Sequence, residues 1–192
     1  MTSTDMLDVA LKEWGVICEA VLAGDQAILL RKGGVHEDEG PGRFRLAYRR
    51  FALFPAWEHQ RADWIKPGWS ARCEEADAEP AELTIGGWAE VAGVWAVPSR
   101  AAFDTLDDLH VWRGPYVDMR FGYKPDRPLY LVLLEARRLA TPKAIAMNDR
   151  YWGCKSWVDL DECDAVSIEG SSDVTEQGEL DALRQRIDAA MA

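Results

Sequence analysis

PLYLVLLEARRL, residues 128–139, decides the fold. Its continuous apolar run, opened by a proline, fits a strand buried on both faces of a sheet. The neighbouring segments read outward from it. Residues 141–147 continue the sheet, and YWGCKSWVDL, residues 151–160, is a further strand or turn-strand unit. GELDALRQRIDAAMA closes the sequence as a helix, with Leu180, Leu183, Ile187 and Met191 at helical spacing. Towards the N-terminus, residues 83–97 form a long strand or hairpin in which Gly86, Gly87 and Gly93 allow a kink. Between these strands, Ser99 caps the helix RAAFDTLDDLHVW, and from Pro115 the pattern turns extended.

The first half is read the same way. Leu7, Leu11, Trp14, Cys18, Val21 and Leu22 recur at helical spacing, with Ser3, Thr4 or Asp5 as a cap and Gly24 beyond the end, which predicts an opening amphipathic helix. AILLR then makes a short buried strand that Lys32, Gly33 and Gly34 carry into a polar loop. Residues 43–54 alternate as a strand whose register slips near Arg49 and Arg50, consistent with a bulge. Pro55 is expected to stop it and AWEHQRADWIK to follow as a short helix or helical turn. Residues 73–81, acidic and alanine-rich, read as an exposed connection.

Strands cluster instead of alternating with helices, so the fold class is α+β: a curved, mostly antiparallel or mixed sheet flanked by N-terminal, middle and C-terminal helices. Residues 1–192 are expected to form a single domain, with 175–192 its C-terminal helix.

Composition narrows the function. The sequence has neither a secretory signal nor an apolar stretch that spans a bilayer, which predicts a cytoplasmic protein with no membrane partner. Cys18, Cys73, Cys154 and Cys163 form no CxxC pair and have no histidine at zinc-finger spacing. They read as reduced thiols, and no metal or cofactor is expected, although ligands can converge in space without a sequence signature. A net charge of -11 argues against a protein that coats nucleic acid by neutralising many phosphates. Charge is unevenly spread, however. Residues 31–66 hold eight basic groups against five carboxylates and residues 113–155 nine against four, while ten carboxylates face two arginines from Val158 onward. Two basic segments on one face would make an anion-binding surface.

FALFPAWEHQ, residues 51–60, carries the polar groups best suited to a site. Histidine is the side chain best suited to acid-base work at neutral pH, and Glu58 lies beside His59, so these two are the catalytic candidates. Adjacent residues of a helix diverge by about 100°, so Glu58 does not automatically orient the ring. Cys73, Cys154, Ser70 and Ser156 are available nucleophiles, but none stands in a recognisable setting. Glu135 lacks the acidic partner that a metal-dependent nuclease needs. A binding role draws on more of the sequence. Arg31, Lys32, Arg43, Arg45, Arg49 and Arg50 would contact phosphate, and Trp57, His59, Gln60, Lys155 and Trp157 would surround a base.

LKEWGVICEAVLAGDQAILLRKGG, FALFPAWEHQ and YWGCKSWVDL, taken together and in this order, resemble the uncharacterised bacterial family called domain of unknown function 1802, with departures at Ala56 and Trp57. The resemblance runs from Leu11 to about Leu160. Some members are joined to a restriction-endonuclease-like domain, which implies service in restriction or anti-phage systems and a separate nuclease subunit as partner for a chain that lacks one. The apolar strand followed by GCKSWV also looks like PUA-like folds, pseudo-barrels that bind RNA or flipped bases in an aromatic pocket. The leading expectation is therefore a nucleic-acid or nucleotide recognition module. A small hydrolase or transferase using His59, and a protein-interaction subunit using the acidic tail, are the alternatives.

Overall fold

A computed structural model describes residues 5–32, 47–76 and 78–192. Its frame is a mixed sheet built from β2 (Val9–Trp14), β3 (Ile28–Lys32), β4 (Arg50–Ala56), β5 (Glu82–Ala96), β6 (Leu129–Ala146) and β7 (Trp157–Asp159), in the order β3-β6-β5-β4-β2-β7. A short strand β9 (Ser172–Asp173) adds to β6, and β1 (Met6–Leu7) pairs separately with β8 (Val166–Ser167). Between these strands, every described pairing is antiparallel except β2 with β4. The helices are α1 (Gly15–Ala23), α2 (Pro67–Ser70), α3 (Arg100–Asp104), α4 (Gly114–Gly122) and α5 (Gln177–Met191). The α+β class and mixed sheet are as the sequence predicts. Among the described residues no helix is long and apolar enough to cross a membrane.

Residues 129–139 lie within β6, an 18-residue strand that begins just after Pro128 and runs on through residues 140–146. Leu131, Val132, Leu133 and Leu134 are all buried, so both of its faces pack, as a continuous apolar run requires. Its long partner β5 is a single strand, and the register between them shifts at Ile85/Gly87 and at Val91/Gly93. These irregularities increase local twist and curl the sheet. The register slip expected near Arg49 and Arg50 rests on an alternation whose Phe44 and Leu46 lie outside the described residues, as do Gly33 and Gly34.

Several expectations are corrected. The opening helix is instead β1 and β2 followed by α1, which starts only at Gly15. Val9, Ala10 and Leu11 are buried in succession because β2 lies between β4 and β7, so an inner strand produced spacing that also fits a helix. Pro55 does not end β4, which runs on beside β2 to Ala56. The β5 ladder has already left β4 after Ala52, so the absent proline N–H breaks no bond on that flank. Of residues 56–66 only Ala62–Trp64 turn helically, as one 3-10 turn. Residues 115 onward are not extended at first: Pro115 sits in the first turn of α4, where its missing N–H costs nothing. In the acidic connection, Cys73 and Glu79 are buried. Ser99 does cap α3, its hydroxyl accepting from the Ala102 amide at 3.1 Å, but the helix breaks after Asp104 and resumes as a 3-10 turn at Asp107–Leu109.

Candidate functional site

The parallel strands β2 and β4 run side by side and their C-terminal ends open into one concavity. From β2 come Lys12, Glu13 and Trp14; from the chain beyond β4 come Glu58 and His59. Arg31 reaches in from β3, Glu79 from the connection before β5, and Gly153, Cys154, Lys155 and Ser156 from the loop before β7. The concavity measures about 230 Å³.

Lys12 organises it. The side chain is only 9% exposed and its ammonium donates to the carbonyls of Tyr151 at 2.8 Å and Gly153 at 3.3 Å, tying the Cys154 loop to β2. Burial pulls its pKa down, and Glu79 and Glu58 oppose that shift. Tyr151 is itself fully buried; its hydroxyl donates to Asp164 at 2.7 Å and accepts from the Asp161 amide at 2.8 Å. Glu79 accepts from the Trp57 amide at 2.7 Å, which fixes the approach to His59. His59 then turns back with φ 65°, a left-handed conformation uncommon for a residue with a Cβ. Its ring nitrogen Nε2 lies 3.8 Å from Cys154 Sγ. The Glu58 carboxylate, the His59 ring and the Cys154 sulfur present ligand atoms all within 4.8 Å of one another. A thiol in contact with an imidazole can serve as a nucleophile beside its base or as two ligands of a metal ion.

Of the binding candidates, the structure brings Arg31, His59 and Lys155 together with the acid-base candidate Glu58. The others lie elsewhere. Gln60 is 4% exposed and serves the fold: it accepts from the Val16 amide at 3.0 Å and donates to the Glu74 carbonyl at 2.6 Å. It thereby caps α1, whose preceding residue Trp14 offers no side-chain cap. Trp57 faces a second concavity, of about 370 Å³, between α1 and β5. Trp157 packs edge-on against Phe51 and Tyr48. Arg49 and Arg50 stand at the start of β4 and His59 beyond its end, roughly 20 Å apart at about 3.3 Å per strand residue. Arg50 and Arg137 both stack on Trp88, at 4.9 and 4.8 Å. Lys32 donates to the Phe121 carbonyl at 2.7 Å, and its pKa is lowered by burial. Arg43 and Arg45 lie outside the described residues.

Sequence reasoning missed Lys12, Glu13 and Glu79, and left Cys154 among several unplaced nucleophiles. A charged residue inside the apolar stretch VALKEW was the available signal for Lys12, obscured by the helical reading. For Cys154 the signal was its place in YWGCKSWVDL, one of the three motifs that carry the family resemblance.

The chain matches the family described as Domain of unknown function (DUF1802) over residues 10–186. No curated protein matches it. Among solved structures, the ASCH protein from Zymomonas mobilis is similar at 10% identity and a TM-score of 0.46, over 81% of this chain and 89% of that one. A serine-to-alanine mutant of it gives 11% identity and a TM-score of 0.47, over 82% and 91%. A likeness of this degree carries neither the PUA-like resemblance nor a function further.

Proposed function

Because the chain belongs to the family described as Domain of unknown function (DUF1802), whose description assigns no activity, its own site must supply the reading, and we propose a nucleotide or nucleic-acid recognition module. The observation that supports this is the meeting of Lys12, Arg31, His59 and Lys155 with Glu13, Glu58 and Glu79 around one concavity. Cations bind phosphate, and carboxylates accept from the amino and imino groups of a base. At about 230 Å³ the space falls below the roughly 300–1,000 Å³ of whole-ligand pockets, so it takes one nucleotide unit. A protein of net charge -11 that reads one unit in a pocket neutralises few phosphates. Its affinity for single strands should fall with salt on a log–log slope no steeper than about -2, against about -0.7 per phosphate contacted. Restriction or anti-phage defence in the cytoplasm, with a separate nuclease subunit, is the setting the family resemblance favours.

The test is a screen of free nucleotides and of modified and unmodified oligonucleotides at two salt concentrations, repeated with His59→Ala and Lys155→Ala. We expect saturable binding to at least one of them and at least about tenfold weaker binding in each variant. No binding at all, or binding indifferent to both substitutions, overturns the reading.

One observation favours a second reading, a small hydrolase or transferase: Cys154 Sγ stands 3.8 Å from His59 Nε2, thiol beside base. Turnover of nucleotide esters that Cys154→Ala abolishes would select it. The acidic tail supports an interaction subunit less, because α5 docks on its own chain: Arg186 pairs with Asp108 at 2.6 Å and Trp95 donates to Asp188 at 2.7 Å.

A further inference from the structure

We propose that Glu58, His59 and Cys154 form a zinc site with an open coordination position facing the pocket. Zn–S and Zn–N bonds of about 2.3 and 2.0–2.1 Å, held at a tetrahedral angle, place sulfur and nitrogen about 3.6 Å apart. The observed separation of Cys154 Sγ and His59 Nε2 is 3.8 Å, and the carboxylate of Glu58 completes a triangle within 4.8 Å. An ion therefore draws sulfur and nitrogen together by about 0.2 Å and the Glu58 carboxylate inward by up to about 1.4 Å, a shift within the reach of its side-chain torsions. A set of one thiolate, one imidazole and one carboxylate selects zinc over magnesium or calcium, which take oxygen ligands.

The backbone is shaped for this convergence. Consecutive residues of a strand face opposite ways and those of a helix diverge, so Glu58 and His59 share a target only because the chain turns at His59 with φ 65°. Left-handed backbone at a residue with a Cβ is a cost that structures retain where a side chain must be aimed. Cys154 comes from the opposite wall, next to Gly153 with φ 90°. Its loop is held by Lys12 through the carbonyls of Tyr151 and Gly153.

The charges agree as well. Thiolate and carboxylate together balance a divalent ion. Of the cations around the site, Arg31 is paired with Glu13 at 2.9 Å, and Lys12 faces Glu79 while giving its protons to carbonyls. Lys155 is exposed on the rim, its ammonium donating to the Arg150 carbonyl, and it adds positive charge beside an anionic fourth ligand such as hydroxide or a phosphate oxygen. His59 and Cys154 are also exposed, so that position is open to exchange. Three protein ligands and one exchangeable position is the composition of catalytic and not structural zinc sites. On binding, the Cys154 thiol releases its proton to solvent, so affinity falls as pH is lowered.

The full chain, stripped with a chelator and dialysed, should take up one equivalent of Zn2+ in competition with a chromophoric chelator. Co2+ in its place should give a thiolate-to-cobalt charge-transfer absorption. Cys154→Ala and His59→Ala should each weaken Zn2+ binding at least about 100-fold, since even the partners that support metal ligands are worth about 10–100-fold. Cys163→Ala, removing the other exposed thiol, should leave it unchanged. Far-UV circular dichroism checks that each variant is folded, and the cobalt spectrum of the unsubstituted protein needs no variant. Absence of a stoichiometric ion, absence of the thiolate band, or binding that survives Cys154→Ala overturns the site. It stands whatever the pocket recognises: metal retained without nucleotide binding overturns only the nucleotide reading.

Discussion

Arg31 Nη2 lies 2.9 Å from Glu13 Oε2, although three other strands separate their own strands in the sheet. The pair joins edge strand β3 to β2 across the mouth of the curl, so it measures how far the sheet has bent. It does the work of a backbone ladder that the two strands do not form with each other. The side chains are 15% and 11% exposed, so removing either partner strands the other in a partly dry place. We expect Arg31→Ala and Glu13→Ala each to cost about 1–3 kcal/mol in urea unfolding. The double variant should cost less than the sum of the two, and strict additivity would show that the pair does not hold the curl.

Gly87 makes a second, independent test of that curl. A Cβ there would stand 2.5 Å from the backbone carbonyl oxygen of Arg137 and would also run into the Leu22 side chain. The carbonyl belongs to the β6 ladder and cannot yield, so Gly87→Ala should cost about 1–3 kcal/mol. Gly68→Ala, where nothing lies within 4 Å, is the control and should stay within about 0.5 kcal/mol. Equal unfolding midpoints for the two would refute the close approach at Gly87.

What could be read from residues 128–139 was a strand whose partners bury both faces, and β5, α3 and α5 were legible for equally local reasons: run length, a serine cap and helical spacing. The site was legible only in part. Glu58, His59, Arg31 and Lys155 were singled out by residue type, and they do meet. Which of the other candidates join them depends on strand direction and register. Arg49 and Arg50 are near His59 in sequence but at the other end of β4, and Gln60 turns inward to cap a helix that the sequence reading had started elsewhere. Cys154 reaches His59 only because β7 lies antiparallel to β2, a pairing between residues about 150 positions apart that no local pattern encodes.

His110 should make stability depend on pH. It is 3% exposed, stacked on Phe103 at 5.0 Å, and burial together with Lys66 and Arg100 lowers its pKa from 6.5 to about 4, against a smaller opposing pull from Asp107. Between those values the unfolded chain takes up a proton that the folded chain refuses, so stability is full above pH 6.5 and falls as pH drops towards 4. At about 1.36 kcal/mol per unit, roughly 2 kcal/mol should be lost between pH 7.5 and pH 5. His110→Phe should remove that part of the drop. Urea unfolding of both proteins at the two pH values checks it, and parallel pH profiles would show that the imidazole does not titrate between the states.

His59 separates aim from stability. Its φ of 65° carries a left-handed cost of about 1–2 kcal/mol that glycine escapes, offset by the roughly 0.4–1 kcal/mol that glycine adds through the freer unfolded chain. His59→Gly should therefore be at least as stable as the unsubstituted protein, whereas His59→Ala, which keeps the Cβ, gains nothing. Both should lose Zn2+ uptake and the nucleotide response. A residue whose removal leaves the fold intact or firmer while abolishing binding is held in place for what it binds. If His59→Gly instead unfolds more than about 1 kcal/mol more easily, the imidazole is part of the packing and its contact with Cys154 is structural.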